Sequence, residues 1–149
     1  MTRPAPFHLP HFLPYLLNQA AEAASQGFQE YYRTRYGMLR TEWRVLFHLG
    51  CYGTLSAKEI CEKAAIHKTK VSRAVAALEN KRLLTRGALA EDRRVEQLDL
   101  TAKGQAVFED LSAAAERFEA ELVDGLAPDD LDRLRDNLLH LANLRTGPR

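Results

Sequence analysis

The sequence predicts a mainly α-helical fold that carries one small β-element. Apolar residues recur at helical spacing in six separate stretches, and most of these stretches open on a plausible capping residue or a proline. Extended character is confined to two short runs, 83–87 and 95–100, on either side of the charged loop 88–94. With 149 residues and 46% hydrophobic side chains, the chain can bury a substantial core in one domain of ordinary size.

Taken in order, residues 1–14 contain Pro4, Pro6, Pro10 and Pro14, which no single helix tolerates, so an extended arm is expected. A first helix over 15–36 follows from Leu16, Leu17, Ala20, Ala21, Ala24, Phe28, Tyr31 and Tyr32, with Gly37 as its stop. Thr41 is the expected cap of a second helix carrying Trp43, Leu46, Phe47 and Leu49, which ends at Gly50 or Gly53. Ser56-Ala57-Lys58-Glu59 has the form of a capping box and opens a short third helix to about Ala64.

A fourth helix begins after Ile66, with Val71, Val75 and Leu78 on its inner face. If His67 is its cap, Ile66 and Val71 form a hydrophobic staple. The two extended runs come next. Thr101 caps a long fifth helix bearing Val107, Leu111, Ala114, Ala115, Phe118, Leu122 and Leu126, interrupted at Gly125. Pro128 suits the first position of a sixth, with the stripe Leu131, Leu134, Leu138, Leu141 and Leu144.

Composition removes several function classes. No apolar run approaches the roughly 18 residues of a membrane span, and the opening residues lack the pattern of a secretory signal, so a cytoplasmic protein without membrane association is expected. Cys51 and Cys61 are too few for a disulfide framework and lack the further partners of a zinc site; they are expected to be small buried residues. The five histidines include no H-E-x-x-H pair, and neither a G-x-S-x-G elbow nor a phosphate-binding loop is present. No enzyme activity, metal or cofactor is expected.

A formal net charge of +1 hides strong segregation. Residues 67–94 hold eight basic and three acidic side chains, a net +5, whereas residues 101–149 carry a net −4. A basic segment between acidic neighbours suits a polyanion, although a solvated basic face would have the same composition.

Spacing is more informative. Two short helices joined by a tight turn, the second basic at its start, followed by a basic hairpin, describe a helix-turn-helix with a wing. An α-helix fits the major groove of B-DNA, and an arginine on a hairpin can reach the narrower minor groove. Opposite Val71, Val75 and Leu78, the fourth helix presents Thr69, Ser72, Arg73 and Ala76, flanked by Lys68 and Lys70. Arg73 suits a guanine edge, Thr69 and Ser72 bases or phosphates, and Lys68 and Lys70 phosphates.

At this point the chain resembles the MarR family of winged helix-turn-helix regulators over about residues 15–145. The resemblance rests on Glu42-Trp43-Arg44-Val45-Leu46, Ile66 to Arg73, Asp92-Arg93-Arg94, and Leu100-Thr101-Ala102-Lys103-Gly104. It implies a winged helix-turn-helix over 38–100, a dimerisation helix over 15–36 and C-terminal dimerisation helices over 101–146. It also maps the family's Asp-x-Arg wing motif onto Asp92 and Arg94, with the carboxylate orienting the guanidinium. Arg86 and Arg93 then become expected phosphate contacts. The sequence departs from the family pattern at Ala65 and His67, where Gly and Ser are frequent, and in lacking a proline before Asp92.

The apolar stripes of helices one, five and six need cover, either within an intramolecular bundle or, as the resemblance implies, against a second copy. A homodimer predicts a pseudo-palindromic operator in double-stranded DNA with half-sites about 10 bp apart. The resemblance also implies a small aromatic or phenolic effector, for which Tyr15, Arg33, Trp43 and His48 are candidates, each with ordinary packing or surface exposure as the alternative. A peroxide-sensing subset of the family carries a cysteine near the start of its first helix, and this chain has none there. The expected function is a dimeric sequence-specific transcriptional regulator, a repressor released by a small molecule. The alternative is a dimeric sensor or protein-interaction module that keeps the fold without operator recognition.

Overall fold

The computed structural model describes residues 5–88, 91 and 94–143. The elements are α1 (Leu13–Tyr36), α2 (Arg40–Tyr52), β1 (Leu55–Ser56), α3 (Ala57–Ala64), α4 (Lys68–Asn80), β2 (Leu84–Ala88), β3 (Glu96–Leu100), α5 (Ala102–Leu122) and α6 (Pro128–Asn143). The chain divides into two compact units, residues 1–115 and residues 116–149, with the division inside α5.

The N-terminal arm is not wholly extended. Leu9–His11 forms a 3-10 turn around Pro10, and the Phe7 and Phe12 rings meet edge to face at 5.3 Å. Proline's fixed φ suits such a turn as well as it suits extended chain. For the same reason α1 starts at Leu13 and absorbs Pro14 into its first turn, where a missing N–H costs nothing. Gly37 stops the helix at φ +63°, donating its N–H to the Arg33 carbonyl at 2.9 Å.

Thr41 is not the cap of α2. The helix opens one residue earlier, at Arg40, with Leu39 at the cap position. Leu39 has no side-chain acceptor, yet its own N–H is satisfied: it donates to Glu42 Oε2 at 2.8 Å. Gly53, in positive φ, ends α2, while Gly50 lies inside it, with the Phe108 ring where a side chain would go.

Ser56 and Glu59 form the expected capping box, each side chain accepting the other's backbone N–H at 3.1 Å. His67 caps α4 through Nδ1, which accepts the Thr69 N–H at 3.2 Å, and both members of the Ile66–Val71 staple are buried. Between α3 and α4 the chain turns through Ala65 at φ +53°, a left-handed conformation held by a residue with a Cβ.

β2 and β3 pair antiparallel from Leu84↔Leu100 to Ala88↔Glu96, and β1 adds to the other edge of β3 through Leu55↔Leu98, giving the order β1-β3-β2. β1 has only two residues, too few for alternation to show in sequence. The core beneath joins Val45, Leu46 and Leu49 of α2, Ile60 of α3, and Val71, Val75 and Leu78 of α4. Leu84, Leu98, Val107 and Leu111 complete it from the strands and α5. Tyr32, near the end of α1, is buried in it as well, so the last turns of α1 and the first half of α5 pack with the winged fold.

α5 ends at Leu122, not beyond Gly125, so Leu126 falls in the turn that follows, its N–H on the Val123 carbonyl at 2.9 Å. In the second unit, α6 begins at Pro128 as expected, and Arg135 pairs with Glu119 at 3.1 Å. No residue of α6 is buried; Leu134, Leu138 and Leu139 are exposed, and Leu144 lies outside the described residues. Among the described residues no helix is long and apolar enough to cross a membrane.

Candidate nucleic-acid interface

α4 is divided lengthwise. Val71, Ala74, Val75 and Leu78 face the core, while Lys68, Thr69, Lys70, Ser72 and Arg73 are all exposed, and Ala76 is half-buried. Helical spacing alone produces this division, since positions three and four apart share a face. The staple and the His67 cap set the direction in which the basic end of α4 leaves the protein.

Two interactions invisible in the sequence brace α4. Lys81, just past its end, donates to Glu42 Oε1 at 2.6 Å and to the Gly37 carbonyl at 3.1 Å. Glu42 is otherwise a buried carboxylate, with its second oxygen on the Leu39 N–H. Arg44 of α2 donates from Nη2 to the Ala64 carbonyl at 2.7 Å, supplying a partner for the end of α3 immediately before the left-handed Ala65. Residues so far apart in sequence leave no spacing signal.

On the wing, Arg86 was expected at phosphate. In the structure its guanidinium joins Glu79 of α4 through Nε at 3.2 Å and Glu96 of β3 through Nη1 at 3.2 Å. Burial pulls its pKa down, but the Glu96 and Glu79 carboxylates outweigh burial and hold it above the usual guanidinium range. An arginine whose charge is already matched by two carboxylates ties the hairpin to α4. This pairing also resolves Glu96, which spoils the alternation of β3 in the sequence. Arg94 is exposed where the chain re-enters the hairpin. Asp92 and Arg93 lie outside the described residues.

Of the four effector candidates the structure brings one to a cavity. A cleft of about 330 Å³ between α1 and α2 is lined by Phe28, Tyr32, Trp43, Arg40 and Arg44. The rings are mutually edge-on, Phe28 to Trp43 at 5.3 Å and Phe28 to Tyr32 at 5.2 Å. Burial raises the Tyr32 pKa, opposed by a hydrogen bond with Trp43 and by the Arg40 charge. Arg40 also pairs with Glu22 at 3.3 Å. Tyr15 and Arg33 do not line this cleft. His48 does not either: its Nδ1 lies 2.6 Å from the Arg44 carbonyl and its ring leans on Tyr52, so ordinary packing accounts for it.

The cysteine expectation needs correction too. Cys51 is exposed, at the outer side of the last turn of α2, and only Cys61 is partly covered. Helical phase decides this, since Leu49 takes the inward position near the end of α2.

A short helix pair with a capped, basic second helix, backed by a three-stranded wing, defines a winged helix-turn-helix, a class of DNA-binding fold. The family model described as "MarR family" matches residues 36–95. The chain is 26% identical over 110 residues to the uncharacterized HTH-type transcriptional regulator YwaE of Bacillus subtilis. That match covers 69% of this chain and 64% of the other, so the chain spans a little under two-thirds of its relative's length. Among solved structures it is similar to a MarR/EmrR family transcriptional regulator from Acinetobacter sp. ADP1, at TM-score 0.84 and 26% identity, covering 94% of this chain and 99% of that one. The regulator SPO1453 from Silicibacter pomeroyi aligns at TM-score 0.80 and 29% identity over 93% and 98% of the two chains. By these comparisons the chain is similar to winged helix-turn-helix transcriptional regulators of the MarR family.

Proposed function

We propose that the protein is a homodimeric, sequence-specific repressor that leaves its operator when a small aromatic carboxylate binds. The observation that carries this reading is the exposed face of α4, where Lys68, Thr69, Lys70, Ser72 and Arg73 share one surface with no hydrophobic residue among them. In this reading Arg73 forks onto a guanine, Thr69 and Ser72 approach bases or phosphates, and Lys68 and Lys70 hold phosphates. Arg94, oriented by Asp92, enters the minor groove, and Arg93 meets phosphate. Arg86 is given a bracing role in place of a phosphate contact.

Dimerisation is supported by apolar side chains that lack cover within their own units: Leu9, Phe12, Leu13 and Leu16 at the N-terminal end, and Leu134, Leu138 and Leu139 on α6. The effector reading rests on the α1–α2 cleft, whose size suits one aromatic ring and whose arginines suit a carboxylate.

The test is binding to duplexes selected from a random pool, in competition with unselected duplex. The expected result is enrichment of an inverted repeat. Arg73→Ala should lose about 1–3 kcal/mol of discrimination at one base pair, the range for a bidentate contact (about 5- to 150-fold), and Arg94→Ala should weaken all sites together. If about seven basic side chains of the dimer reach phosphate, log K should fall against log salt with a slope near −6. Equal affinity for selected and random DNA would instead favour a sensor that has lost operator recognition.

A further inference from the structure

Arg44 belongs to two places at once. Its side chain lines the α1–α2 cleft beside Trp43, and its Nη2 caps the end of α3 by donating to the Ala64 carbonyl at 2.7 Å. The residue after Ala64 is Ala65, at φ +53°, and the next two are the staple residue Ile66 and the cap His67 that launch α4. A non-glycine residue in the left-handed region is held there only while its surroundings insist on it. Two backbone N–H groups, those of Ala65 and Ile66, return to the Cys61 carbonyl, and Arg44 is the side chain that serves the Ala64 carbonyl.

We propose that Arg44 is the positioning residue that couples the cleft to the DNA-reading helix. A carboxylate in the cleft competes with the Ala64 carbonyl for the Arg44 guanidinium, since a charged acceptor makes the stronger hydrogen bond. Drawing Arg44 away leaves the end of α3 uncapped, relaxes the strained turn at Ala65 and loosens the direction of α4. Arg40, already paired with Glu22 and without a bond to the helix-turn-helix among those described, adds affinity for the anion but no coupling. By reciprocity, bound operator weakens the anion's affinity by the same factor that the anion weakens the operator's. The proposal rests on the effector reading above and names the residue through which that reading acts.

The experiment uses the full chain, a duplex obtained by selection, and two probes, benzoate and 4-hydroxybenzoate. Probe affinity is measured by calorimetry, and operator Kd with and without saturating probe, in wild type, Arg44→Met and Arg40→Met. In wild type the probe should raise operator Kd by about 5- to 100-fold, the usual range of allosteric coupling. Arg40→Met should bind the probe more weakly yet keep that factor at saturation. Arg44→Met should bind the probe, start from an operator Kd already shifted towards the probe-bound wild-type value, and respond less than about 2-fold. In wild-type protein, amide exchange at Ala65–His67 should quicken on adding the probe, a readout that needs no variant. Probe uptake with undiminished coupling in Arg44→Met, or unaltered exchange at Ala65–His67, overturns the proposal alone. Failure of wild type to take up either probe overturns the effector reading and this proposal with it.

Discussion

Replacing Gly104 by alanine should separate the wing from α5, and the size of the effect follows from the junction's geometry. Gly104 sits in the first turn of α5, and a Cβ built there falls well inside contact with the Leu83 carbonyl oxygen, 2.9 Å from its carbon and 3.2 Å from Leu83 Cα. These neighbours are backbone, which cannot rotate away as a side chain would. The same carbonyl accepts the Thr101 N–H at 3.0 Å. Thr101 Oγ1 in turn donates to the Arg82 carbonyl at 2.7 Å and accepts the Gly104 N–H at 3.0 Å, so moving the helix disturbs all three bonds. In an open helix Gly→Ala gains about 1 kcal/mol. Here overpacking costs about 1–3 kcal/mol and a weakened hydrogen bond about 1 kcal/mol more. The net expectation is a loss of about 2 kcal/mol, or a fall in Tm of about 10 °C for a unit of this size. Urea and thermal denaturation followed by circular dichroism measure it, with Gly87→Ala, which meets open space, as the control. A Gly104→Ala protein that melts at or above wild type would refute the reasoning, because its sign would show that the methyl group fits.

Three further outcomes follow from named contacts. Ala65→Gly should stabilise the protein by about 0.5–1 kcal/mol, relief of the left-handed strain outweighing the added freedom of the unfolded chain; a lower urea midpoint would contradict this. Lys81→Met should cost about 2–4 kcal/mol and more than Glu42→Leu, because the first strands a buried carboxylate whereas the Lys81 ammonium, about a third exposed, can turn to water. Equal losses in denaturation would count against that asymmetry. Burial, with the Asp110 carboxylate that accepts the Tyr36 hydroxyl, raises the Tyr36 pKa above 10.0. Its contribution is therefore complete below pH 10 and lost as pH climbs through the native pKa, so stability should fall on the alkaline side, less steeply in Tyr36→Phe. Identical alkaline slopes for the two proteins would exclude Tyr36 as the source.

Local chemistry was legible where neighbours in sequence are neighbours in space. The Ser56–Glu59 box, the Ile66–Val71 staple, the Gly37 stop and the two faces of α4 each arise within about one helical turn, so the residues that make the interaction also spell it. The expected exposed surface Lys68, Thr69, Lys70, Ser72 and Arg73 emerged whole for that reason. Thr41 misled because a good capping residue is not used when Glu42 can bond the Leu39 N–H and Lys81, just past the end of α4, holds Glu42. Cys51 misled because hydrophobic character says nothing of which way a residue points in the last turn of α2.

By itself, then, the order of residues determined six helices, a hairpin and a basic exposed face on α4, since capping, periodicity and turn formation are short-range effects. Tertiary structure alone decided that β1 joins the sheet, that Arg86 pairs with Glu79 of α4, and that Arg44 links a cleft to the turn before α4. Each of those contacts closes a loop of chain whose two ends carry no mark of one another. Only the packing of the helices and the sheet about a common core brings them within bonding distance.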